Sequence, residues 1–432
     1  VLIFGVGPAV AAARPGIATT LRADARSGRE TRSRRVARQT LVALQLALAT
    51  VMLGGAALLA RSLDRLERQD TGFVSEHVSV IDFAFDGNRF HSDLMPLVAE
   101  GGVLVDRIRQ IPGVTAATQI IAPPMLGNGV WNLRFQTDDP SMTDTARFPL
   151  IPTEMAGADY FKTFGVHIDR GRSFTDDDRA TSELVGIVSE SVARKLWPGQ
   201  NPIGKRLRFP GYKASDFGGG DGWRTIVGVA HDTHLRVLRE ASPMVYVPSV
   251  QSYWQGYMAL RSTVPLGQLL PAISAASRDV DPDLGLNAPR TLDEILDEPL
   301  AQPRVDALLM GGFSAVALLL AAIGLFGVMA SLVRDQTREL GIRIALGATP
   351  ERVRRDVLAR AAAIAGVGLG AGFAVALASS HLVTSLLFQV SATDPLALGA
   401  ACAVLCIVAA VAAYIPARRA TSIDPVRALR SD

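Results

Sequence analysis

The chain has 432 residues, 49% of them apolar, with a formal net charge of +3 and a mean hydropathy of +0.25. That balance excludes a disordered polyelectrolyte, and two cysteines exclude a disulfide framework. Lysine occurs only at Lys162, Lys195, Lys205 and Lys213, so the basic excess is arginine, and its placement speaks for membrane topology and against a nucleic-acid surface.

In chain order the first signal is a stub, Val1 to Gly7, which reads as the end of a span. It leads into Pro8-Ala9 and, fourteen residues after Pro8, Arg22. The last apolar stretch leads into Pro416-Ala417 and, fourteen residues after Pro416, Arg430. The equal offsets predict one repeat unit ending twice, with this chain as the second half of a tandem protein. Residues 1–38 are then the stub and an Arg-rich cytoplasmic linker.

Four stretches exceed the roughly 20 residues a helix needs to cross a hydrocarbon core of about 30 Å. Gln39 to Ala60 is free of charge for 22 residues, and the gap between Asp306 and Arg334 is 27 residues long. Nothing charged stands between Arg360 and Asp394, or between Asp394 and Arg418. Predicted spans are 39–60, 305–333, 361–388 and 395–417, with a large extramembrane domain at 61–304 and a cytoplasmic loop at 334–360. Arginines cluster before the first span, between spans two and three, and in the tail, whereas Gln389 to Asp394 has none. The positive-inside rule therefore predicts both termini in the cytoplasm and the large domain outside.

The outer domain mixes periods. Val78 to Phe85, Leu184 to Val188, Thr225 to Val229 and Met244 to Val247 read as strands; Gly102 to Ile111, Glu190 to Leu196 and Leu266 to Arg278 read as helices. A two-lobed α+β domain is expected, with Asp216 to Gly222 as a loop.

Its chemical motifs are incomplete. Gly199, Gly204 and Lys205 spell most of a P-loop, but Arg206 replaces the Ser/Thr that would hold Mg²⁺, and a helix precedes the motif where one should follow. His231 and His234 lack a convergent third ligand, and Asp176 to Asp178 lack the glycine and alternating oxygens of a calcium loop, so the latter reads as a solvated helix start. No catalytic residue, metal or cofactor is assigned and no enzyme is expected.

Gly366, Gly368, Gly370 and Gly372 in span three form overlapping small-xxx-small patterns for helix packing in lipid. Cys402 and Cys406, four apart in the last span, read as inert core thiols. The spans hold no interior charge, which argues against an ion-coupled transporter.

The segment from Arg334 to Glu351 is the most specific. Glu339 and Arg343 stand i,i+4 with the acid first, beside Leu340 and Ile344, predicting a short amphipathic helix that Gly347 ends. Thr349, Pro350 and Glu351 then read as the cap, first residue and first-turn acid of the next helix.

The run Arg338-Glu339-Leu340-Gly341-Ile342-Arg343-Ile344-Ala345-Leu346-Gly347-Ala348 resembles the signature loop of the MacB/FtsX-like ABC permeases, and the tail from Pro416 to Arg430 is similar to their C-terminal end. Tyr160 to Gly165, Gly171-Arg172 and Asn201 to Lys205 resemble the MacB-like periplasmic core, and the tandem signal resembles the duplicated orphan-permease branch. The resemblance implies an α-helical membrane protein with four transmembrane helices and a periplasmic α+β domain, an FtsX-like domain at 305–425, and a bacterial inner-membrane location. It further implies that Arg338, Glu339, Leu340, Gly341, Arg343, Gly347 and Ala348 couple to a separate P-loop ATPase subunit. Other implied partners are membrane lipids, a first permease half in cis or a second copy, and a periplasmic adaptor. The expected function is ATP-driven export of a drug, peptide or lipid-linked substrate; the alternative is a membrane signalling protein that regulates a periplasmic partner such as a cell-wall hydrolase.

Overall fold

A computed structural model describes residues 32–84, 95–126, 132–139, 148–211, 220–252, 256–337, 339, 342, 349–384 and 386–421. The stub, the Arg-rich segment before residue 32 and the tail beyond residue 421 lie outside them. The chain divides into two compact units, 1–64 with 304–432, and 65–303.

The first unit is helical. It is made of α1 (Arg32–Glu67) as far as Asp64, α6 (Leu292–Asp335) from Arg304 on, α7 (Pro350–Ala378), the short α8 (Ser380–Val383) and α9 (Pro395–Thr421). Each of α1, α6, α7 and α9 is long and apolar enough to cross a membrane. Their shared core is built from Val42 and Leu46 of α1, Leu325 and Met329 of α6, Ala361 of α7 and Leu405 of α9. The opposite faces carry uncovered apolar side chains, with Leu308 75% and Val367 66% exposed. In lipid such faces need no cover, and association rests on close packing of small residues.

The glycines of α7 separate into two sets. A Cβ at Gly368 would stand 2.8 Å from the Ala43 carbonyl oxygen, and one at Gly372 would stand 2.6 Å from that of Ala47. These two glycines receive α1. Gly366 and Gly370 face open space. Residues two apart lie about 200° apart around a helix, so one helix face cannot present all four. Cys402 is half-buried and Cys406 exposed, so neither is the core thiol expected; the buried face of α9 is formed by Leu405, Ala409 and Ala413.

The second unit holds two sheets. Its elements are β1 (Val78–Ala84), α2 (Met95–Arg109), β2 (Val114–Ile120), β3 (Asn132–Arg134), β4 (Gln136–Thr137), β5 (Leu150–Ala156), α3 (Tyr160–Phe164), β6 (Ile168–Gly171), β7 (Val185–Ser189), α4 (Glu190–Leu196), β8 (Arg206–Arg208), β9 (Arg224–Ala230), β10 (Val245–Pro248), β11 (Tyr257–Ser262), α5 (Leu266–Val280) and β12 (Gly285–Thr291). The small sheet runs β12-β1-β11-β2 and is antiparallel throughout. The larger one runs β3-β5-β10-β7-β9-β8-β4, with β6 on β9, and contains the parallel pairs β5/β10 and β7/β9.

Alternation along the strands divides three cores. Ile81 and Phe83 point with Leu104, Ile108 and Ile273 into the layer under α2 and α5. Val78 and Val80, on the other face of β1, join Ile187 and Tyr246 in a layer shared by the two sheets, where Tyr160, Phe161 and Tyr246 pack edge-on or tilted at 5.0–5.5 Å. Val188, Val245 and Val247, each one residue away, face a third core with Trp197 and Phe209.

Candidate functional site

At one end of the helical unit, α6 closes at Asp335 and α7 opens at Pro350. Pro350 occupies the first position and Glu351 the first turn, as expected. Thr349 has the extended backbone of an N-cap, but its hydroxyl makes no capping bond; its carbonyl oxygen accepts from the Arg352 amide at 3.0 Å. Val353, Val357, Ala361 and Ala365 are buried at spacings of four, while Arg352 and Arg355 stay exposed. One face of α7 therefore packs while the arginines line the other. Glu339 is helical and exposed. Arg338, Leu340, Gly341, Arg343, Gly347 and Ala348 lie outside the described residues.

At the other end, the segment between α8 and α9 is fixed to α1. The Phe388 amide donates to Ser62 Oγ at 2.7 Å, Arg61 Nη1 lies 2.9 Å from Asp394 Oδ1, and Leu58, Leu387, Val390 and Ala397 form a small buried cluster.

The second unit contains a cavity of about 460 Å³ between α2 and the carboxyl ends of β5 and β10. Gly102 and Val103 form one wall, Ala156 and Pro248 the opposite one, and Phe174 and Arg179 the rim loop. Gly157 lets β5 end hard against β2, since a Cβ there would stand 2.7 Å from Thr118 Oγ1. The rim loop is built by two glycines and an ion pair. Gly165 ends α3 in the left-handed region at φ 66°, and Gly171, at φ 79°, turns where a Cβ would overlap the Val227 carbonyl oxygen. Arg172 then donates twice to Asp178, both at 2.8 Å. Burial pushes the Asp178 carboxyl up, but the Arg172 bonds and the Thr175 amide outweigh it and hold the group below the ordinary aspartate value. The acidic run is thus a turn with its last carboxylate buried and paired, and the expected solvated helix start is absent, because Asp178 has a guanidinium to bind.

Behind the cavity, Glu154 and Arg236 form an ion pair that is 0% and 2% exposed. The Ile121 amide donates to Glu154 Oε1 at 2.7 Å. Burial pushes the Glu154 carboxyl and the Tyr160 phenol up.

The P-loop-like segment is a turn between α4 and β8. His231 faces Asp169 and His234 faces Gln69, and among the described residues no metal-binding group of three or more exists. No periodicity or motif marked the cavity, because its walls come from five separate segments.

A family model of the MacB-like periplasmic core domain matches residues 43–277, and one of the FtsX-like permease C-terminal domain matches residues 311–425. The pyoverdine export ATP-binding/permease protein PvdT of Pseudomonas putida is 30% identical over 275 residues, 61% of this chain and 40% of that protein. The macrolide export ATP-binding/permease protein MacB of Marinobacter nauticus is 24% identical over 276 residues, with the same coverage of 61% and 40%. The chain thus spans about 40% of the length of the curated relatives it matches. The periplasmic region of MacB from Actinobacillus actinomycetemcomitans aligns with a TM-score of 0.35 at 15% identity, over 54% of this chain and 95% of that one. The core-domain match alone takes in more than half of the residues, and the permease match follows it in order. The chain belongs to the MacB/FtsX-like family of ABC-type exporter permeases.

Proposed function

We propose that the protein is the permease component of an ABC-type export system in the bacterial inner membrane, with both termini cytoplasmic. A separate P-loop ATPase subunit engages the 338–348 segment, and ATP binding there changes the packing of the spans. The motion reaches the periplasmic domain through α1 and α6 and acts on a drug, peptide or lipid-linked substrate. The chain itself is not the enzyme. A periplasmic adaptor, and a first permease half in cis or a second copy, complete the assembly.

The observation that carries this reading is the succession of the two family matches around helices longer than a membrane requires. At 1.5 Å per residue, the 44 residues of α6 extend roughly 66 Å, about twice the hydrocarbon core. The uncharged interior of the spans fits a transmitter of force better than a carrier of ions. The relatives named above are themselves called export ATP-binding/permease proteins.

A photo-crosslinker at Arg343 of the full-length protein in native membranes tests the reading. Capture of a P-loop ATPase, identified by mass spectrometry, is the expected result. A well-expressed protein that captures no ATPase contradicts it and favours the signalling role.

A further inference from the structure

We propose that the 460 Å³ cavity of the second unit is a binding site for an amphiphilic organic cation. The claim concerns binding and does not rest on the export reading.

The first ground is room. Gly102 lies on the cavity face of α2, and a Cβ there would meet nothing within 4 Å. Val103 and Val250 are 51% and 38% exposed in a cavity whose floor is closed by Ala156, Pro248 and the buried Phe174. Side chains of that kind in a concave site favour an apolar body, and the volume falls in the usual range for a small organic ligand.

The second ground is charge. Arg109 already faces carboxylates: Asp106 lies at 3.1 Å, Asp159 at 3.0 Å and Asp176 at 3.9 Å, and its Nε donates to the Ala117 carbonyl at 3.3 Å. Arg172 is bound to Asp178. Asp106, Asp176 and Asp178 line the cavity together with Arg109 and Arg179, Asp159 pairs with Arg109 and Arg172 with Asp178, so four carboxylates meet three guanidiniums and one negative charge is left over. Asp106 and Asp176 are 68% and 86% exposed, so their outer oxygens are open to a ligand. A cation with an apolar body satisfies both features, whereas an anion would meet the excess carboxylate.

The cavity also bridges the two sheets. Gln119 lies one residue before the end of β2 in the small sheet, while Ala156 and Pro248 end β5 and β10 of the larger one. An occupant touches both lobes at once.

Thioflavin T, a water-soluble cation that fluoresces when immobilised, is the probe, titrated onto the full chain in nanodiscs of zwitterionic lipid. The expected result is a saturable signal that weakens with added salt. It disappears in Gly102→Trp, which fills the cavity, and its affinity falls roughly tenfold in Asp106→Asn/Asp176→Asn. Unchanged melting midpoints establish that both variants are folded, and if Gly102→Trp is not, the aspartate pair decides. Three results overturn the proposal: no saturable signal, a signal that survives in the folded variants, or equal displacement by the anion 1-anilinonaphthalene-8-sulfonate.

Discussion

Arg61 Nη1 lies 2.9 Å from Asp394 Oδ1, and that same oxygen accepts the amides of Leu396 at 3.1 Å and Ala397 at 3.0 Å. One carboxylate therefore caps α9 and ties it to α1. The two partners are consequently unequal. Arg61→Ala removes a partly exposed ion pair worth about 0.5 kcal/mol, whereas Asp394→Ala also removes a helix cap worth about 1 kcal/mol. The melting midpoint of the detergent-solubilised protein is expected to fall further in Asp394→Ala than in Arg61→Ala.

The two faces of α7 differ in their tolerance of bulk. Gly372→Val places a side chain against the Ala47 carbonyl and should cost about 1–3 kcal/mol through overpacking. Gly370→Val, with open space at its Cβ, should leave the melting midpoint nearly unchanged. Equal losses in fluorescence-detected thermal unfolding would remove the assignment of the Gly368/Gly372 face to α1.

The buried Glu154–Arg236 pair predicts an asymmetry between single and double substitution. Arg236→Met leaves an uncompensated buried carboxylate and should cost about 3–5 kcal/mol, while Glu154→Leu/Arg236→Met recovers most of that loss. Chemical denaturation of the three proteins measures the difference.

Asp178 sets an acid limb. Its folded carboxyl titrates below the ordinary aspartate value of 3.8, so the Arg172 bond contributes fully above that pH and is lost as pH falls through the lower folded value. Below about pH 4, Asp178→Asn should show a flatter fall in stability than the unaltered protein, measured as melting midpoint against pH.

The spans were legible because a gap between charges is a one-dimensional signal: α1, α6 and α9 cover three of the gaps, while α7 ends at Ala378, ten residues short of the expected 388, and the short α8 follows it. Strands dense in β-branched residues were legible too: Leu184 to Val188 corresponds to Val185–Ser189, and Thr225 to Val229 lies within Arg224–Ala230. β2 and β12 were not, since more than half of Val114–Ile120 is alanine and threonine and Gly285–Thr291 contains glycine and proline; long-range pairing makes them strands. α2 begins at Met95, seven residues before the expected Gly102, because two glycines interrupt its pattern. The cavity was illegible for a related reason. Gly102, Gly157, Arg179 and Val250 become neighbours only when both sheets are assembled, and no local period records that.

The central claim is that ATP moves the outer ends of α1 and α6. Cys402 and Cys406 are first replaced by serine, and spin labels are placed at Glu67 and Gln302 of the full-length protein, reconstituted with the ATPase captured at Arg343. Double electron–electron resonance then compares the nucleotide-free and ATP-bound complexes. The account predicts distance distributions that shift on ATP binding and return after hydrolysis. Superimposable distributions from a complex that is hydrolysing ATP would contradict it.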